Sequence, residues 1–131
     1  MLPDRATWAA LALVGLGLAC RRPADAGPGS LAMALQVTPA PPTVGAARVE
    51  VVVKDEAGAP ARGGTLSLEG NMSHPGMRPS FADCQELTPG HYQGSLALTM
   101  AGDWLIEVDA SFPDGHRARR TFPVPGVRPA P

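Results

Sequence analysis

The chain is short of cysteine, of lysine and of net charge, and it holds no apolar run long enough for a membrane-crossing helix. Each shortage closes off a class of function. Of 11 basic residues only Lys54 is a lysine, and the formal net charge is −1. Apart from Arg21 and Arg22 near the start and Arg117, Arg119 and Arg120 near the end, the arginines are scattered, which leaves no long-range positive field to gather nucleic acid. The longest apolar run, Ala6 to Ala19, falls short of the roughly 20 residues that span a bilayer core. No His-Glu-x-x-His motif or strained serine elbow occurs, and no histidine is placed by sequence beside Cys84, so an enzyme is not expected. No stretch after residue 30 keeps a helical period over ten residues.

What the chain does have begins with its leader. The first residues, MLPDRATWAALALVGLGLAC, place one arginine before an apolar segment of the length of a secretory h-region. Gly17-Leu18-Ala19-Cys20 looks like a lipoprotein cleavage box, in which small residues fit the signal peptidase and the cysteine thiol carries the lipid. The expectation is a signal peptide over residues 1–19 and lipidation at Cys20, with membrane lipid as the first partner. Cleavage without lipidation, and an uncleaved short anchor, are the alternatives, and all three put the domain outside the cytoplasm, in a bacterial periplasm or at the cell surface. Residues 20–30, including RRPADAGPG, show no apolar period and read as a flexible tether. With Cys20 lipidated, Cys84 is left without a disulfide partner. It reads as a small buried apolar residue, a soft metal ligand or a thiol that pairs with another chain.

A total of 131 residues suits one domain. Its pattern is alternation. Leu31, Met33, Leu35 and Val37 alternate with smaller or polar residues; Val49, Val51 and Val53 lie on one face with Arg48, Glu50 and Lys54 opposite; Leu66 and Leu68 alternate with Thr65, Ser67 and Glu69. Tyr92, Leu96, Leu98 and Met100 form a further run, Trp104, Ile106 and Val108 another, and Phe122 and Val124 lie on the inner side of the last, with Arg117, Arg119 and Thr121 facing water. Period-2 alternation places one face of each strand toward a core, and Pro113-Asp114-Gly115 supplies a turn between the last two runs. Six to seven short strands at this spacing predict an all-β, immunoglobulin-like antiparallel β-sandwich over residues 31–125. The Pro-rich residues 126–131 read as a disordered tail.

The chemically distinctive stretch is Asn71-Met72-Ser73-His74-Pro75-Gly76-Met77. Thioether sulfur is a soft ligand and imidazole a borderline one, a pairing that favours copper, above all Cu(I). If the strand through Leu68 continues, Met72 and His74 share a face, and Pro75-Gly76 turns the chain so that Met77 comes back toward them. Three such donors hold an ion loosely, and Cys84 or His91 are the expected additional ligands, with His116 and Met100 more remote. The competing reading is that Met72 and Met77 cap the open end of the sandwich, because methionine readily fills irregular gaps.

These residues also carry a resemblance. GNMSHPGMRP, then LTPGHYQGSLALTMAGDWLIEV, then DGHRARRTFPV resembles the extracytoplasmic YtkA-like domain family and its FixH-like relatives. The matching positions are His74, Gly76 and Met77, then Pro89, Gly90 and Tyr92, then Met100, Gly102 and Trp104, and finally Phe122 and Val124. The resemblance implies an immunoglobulin-like sandwich on the outer side of a membrane and an association with copper handling. FixH-like proteins keep a membrane helix where this chain has its lipobox-like leader. Two functions follow as expectations: copper binding or transfer through the Met-His-Met loop, or a metal-free module that docks onto a membrane or envelope protein.

Overall fold

The computed structural model describes residues 31–131; the expected signal peptide, Cys20 and the tether lie outside the described residues. Eight strands follow one another: β1 (Ala32–Thr38), β2 (Gly45–Lys54), β3 (Thr65–Met72), β4 (Ser80–Asp83), β5 (Gln85–Thr88), β6 (His91–Leu98), β7 (Gly102–Ser111) and β8 (Arg117–Val127). They form two antiparallel four-stranded sheets, ordered β1-β2-β6-β5 and β4-β3-β7-β8. Named in chain order A, B, C, C′, D, E, F and G, these are the A-B-E-D and C′-C-F-G layers of an immunoglobulin-like sandwich.

The alternation of the sequence becomes the core between the layers. Ala47, Val49, Val51 and Val53 from β2 face Leu66 and Leu68 from β3, Leu96 and Leu98 from β6, and Trp104, Ile106 and Val108 from β7, all buried. Burying a side chain of this size stabilises by roughly 1.5–3 kcal/mol. No polar or charged residue is buried among the described residues, so specificity rests on shape. The two largest buried groups each keep a hydrogen bond. Tyr92 Oη donates to the Ala61 carbonyl at 2.8 Å and accepts from Gly64 N–H at 3.0 Å, which fastens the β2–β3 connection. Trp104 Nε1–H donates to the Met100 carbonyl at 2.9 Å. Antibody domains place a tryptophan on C against a B–F disulfide; here the tryptophan is on β7, the F strand, and β2 contributes only aliphatic side chains to the core.

Three expectations are corrected. Two strands are added, β4 and β5, between which Cys84 carries the chain from one sheet to the other. Alternation had not marked them because each is four residues long and lies at a sheet edge: Phe81 points to solvent, and every residue of β5 is exposed. The strand β3 stops at Met72, so His74 is not on its inner face. Finally, residues 126–131 are not all a tail: Gly126 and Val127 belong to β8, Val127 is buried, and Arg128 donates to the Pro42 carbonyl and accepts from Val44 N–H.

The registers define two poles. Leu31 enters beside the end of β2, where Ala32 pairs with Lys54, and the same pole holds the Ala61–Gly64 connection, His91 and the 112–116 turn. At the opposite pole lie Met72, the 73–79 loop, the β6–β7 turn at 99–101 and the end of β8.

Candidate metal-binding rim

Along β3 the inward positions are Leu66, Leu68, Gly70 and Met72. Gly70 carries no side chain because the space is taken: a Cβ there would meet Leu96 Cδ2 at 3.0 Å and the Trp104 ring at 3.4 Å. Trp104 therefore fills the end of the core, and Met72, its register partner, covers that end as a partly buried side chain packed against the core cluster. Beyond Met72 the chain leaves the sheet and turns. Met77 N–H donates to the His74 carbonyl at 3.4 Å, Pro75 takes the first central position and Gly76, at φ 81°, the second. This is the pattern of a type II turn, in which proline presets one dihedral and only glycine takes the positive φ without strain. By the definition of such a turn the Cα atoms of its corner residues, His74 and Met77, lie within about 7 Å. His74 is exposed and Met77 half-buried.

A further methionine reaches the same pole. Met100 lies in the β6–β7 turn, 45% exposed, and its carbonyl is the acceptor for the Trp104 indole. Two residues on, Gly102 sits against Met72: a Cβ added there would be 2.9 Å from Met72 Cε. The terminal methyl of Met72 thus packs under the turn that carries Met100. Asp103 accepts from Gly126 N–H at 2.9 Å and ties this turn to the end of β8.

The expected additional ligands are elsewhere. Cys84 N–H donates to the Leu66 carbonyl, which places Cys84 level with the first turn-side residues of β3. Leu66 and Met72 are six steps apart along the strand, about 20 Å at roughly 3.3 Å per residue. His91 pairs with Val52 at the pole where Leu31 enters. A metal keeps its ligand atoms within about 2–2.5 Å, so neither Cys84 nor His91 can share an ion with Met72. His116 also belongs to that far pole, and its Nδ1 is 2.7 Å from Asp114 Oδ2. Strand register sets Cys84, His91 and His116 apart from Met72, and Met100 lies on the turn that Met72 reaches.

Among the described residues no three His, Cys, Asp or Glu side chains are arranged to hold a metal ion, so any site at this rim depends on methionine sulfur. The residues present fit a soft monovalent ion: two thioethers and an imidazole on one short segment, with Met100 on the adjoining turn. The far pole carries a different feature that sequence did not reveal, a cleft of about 570 Å³ between Leu31, the 55–62 connection and the 112–116 turn. Beside it Glu86 accepts from Gly63 N–H and Gly90 N–H, at 3.1 Å each, and these bonds hold its carboxyl below the usual range. That is a structural clasp for the 61–64 connection.

The sequence model of the family described as YtkA-like matches residues 25–109. No curated protein matches the chain. Among solved structures murine CRIg is similar, at 14% identity and a TM-score of 0.42, covering 76% of this chain and 99% of that one. Among the described residues no helix is long and apolar enough to cross a membrane.

Proposed function

The chain belongs to the YtkA-like family, and from that premise we propose that it is an exported domain that binds copper as cargo through Met72, His74 and Met77. The observation that supports this reading is the His74–Met77 turn, which holds an imidazole-bearing and a thioether-bearing residue at adjacent corners directly beyond Met72. Thioether and imidazole together suit Cu(I). His74 is exposed, so a second protein's thiol or thioether can approach while the first donors still hold the ion; transfer then proceeds by ligand exchange. The lipobox-like leader supports attachment through Cys20 on the outer side of a bacterial membrane.

Titration of the protein with Cu(I) against a competing chelator tests the assignment. The Met72→Ala/His74→Ala/Met77→Ala variant is expected to lose at least about tenfold in affinity, roughly 1.4 kcal/mol, and unchanged affinity would remove these residues from the account. One observation favours the rival reading of a metal-free docking module. Phe81 and Leu105 are 70% and 44% exposed on the outer face of the β4-β3-β7-β8 sheet. A ligand that prefers the folded state must raise the melting temperature, so its failure to rise with Cu(I) in a reduced sample favours docking.

A further inference from the structure

We infer that Met100 is a third thioether donor at this rim, so that the site is built from two separate connections, 72–77 and the β6–β7 turn. The inference rests on the copper-binding reading above. Four observations meet at this residue. Met100 is 45% exposed, although by phase with Leu96 and Leu98 it would continue the buried side of β6. The strand ends at Leu98, and the backbone at Met100 is instead held by the Trp104 indole, at 2.9 Å. Trp104 is the register partner of Met72. Met72 Cε in turn lies 2.9 Å from where a Gly102 Cβ would stand, so the side chain of Met72 reaches the same turn. Glycine at 102 is what lets that approach occur.

The chemical consequence is selectivity. A set of three thioethers and one imidazole has no anionic donor to offset the hydration lost by a hard or divalent ion, and its softness suits a d¹⁰ monovalent ion such as Cu(I) or Ag(I) over Zn(II). Joining two connections also couples binding to the closure of the pole, because the ion bridges the loop after β3 to the turn before β7.

Ag(I), a d¹⁰ analogue of Cu(I) that does not oxidise in air, allows each methionine to be observed. With methyl-¹³C methionine in the full chain, the Met72, Met77 and Met100 methyl signals are expected to shift on one common saturation curve, while Met33, half-buried in β1 near the other pole, stays fixed. Zn(II) is expected to move none of them. Met100→Leu, which keeps size at an exposed position, is expected to weaken Ag(I) binding about fivefold or more. If the Met72 and Met77 signals move and Met100 does not, or if Met100→Leu binds as tightly, Met100 is excluded and the Met72-His74-Met77 reading stands. If no methyl moves, both fail. If Met33 moves on the same curve, the binding is general thioether chemistry and the rim is no site.

Discussion

Cys84 sits where the chain leaves one sheet for the other, partly buried and packed against the core. Burial first, and the neighbouring Asp83 carboxylate second, raise its thiol from 9.0 to about 11. The thiolate is the reactive and metal-binding form, and at pH 8 a shift of this size leaves about 100-fold less of it. Alkylation of the folded protein by iodoacetamide at pH 8 is therefore expected to run about 100-fold slower than in urea, and equal rates would show that the thiol is open. The three readings that sequence left for Cys84 could not be separated without its neighbours. Met72, His74 and Met77 were legible as a chemical group because their spacing is local. Met100 could be named from sequence only as a remote candidate, because the pairing of β3 with β7 is what sets its turn beside Met72.

At the scale of elements, the interior strands could be read directly and the edges could not. The strands β2 and β7 bury alternate residues over ten positions each, which is the strongest form of a period-2 signal. The edge strands β4 and β5 offer no such pattern, since an edge strand packs on few neighbours and tolerates exposed apolar or polar side chains alike. What fixes the crossover between them is Gly94 on β6. A Cβ at that position would lie 2.9 Å from the Asp83 carbonyl, 3.2 Å from Cys84 Sγ and 3.3 Å from Leu68 Cδ1. The nearest of these is backbone and cannot rotate away, so Gly94→Ala is expected to destabilise by about 1–3 kcal/mol, as overpacking does. Urea denaturation checks this, and a midpoint within error of the parent would mean that the crossover is free to shift.

For the molecule as a whole, the order of motifs and the alternation were enough to predict a two-layer immunoglobulin-like stack, and the two sheets realise it. The end of the stack differs from the expected tail over 126–131: Val127 fills the core at 3% exposure and Arg128 closes onto the 42–44 segment. Proline tolerated at a strand edge and glycine at φ 68° do not prevent the last strand from continuing. Removing residues 126–131 is expected to cost about 1.5–3 kcal/mol for Val127 alone, seen as a fall of roughly 5–20 °C in Tm for a domain of this size. An unchanged Tm would return the segment to a tail.

Leu31 and the methionine-bearing turns mark opposite extremities of the stack. Any tie made through the N-terminus therefore leaves the sulfur groups outermost, about 25 Å beyond the point of entry along β3. Under the proposed copper reading, a protein that collects the ion from them would arrive from the side away from Leu31.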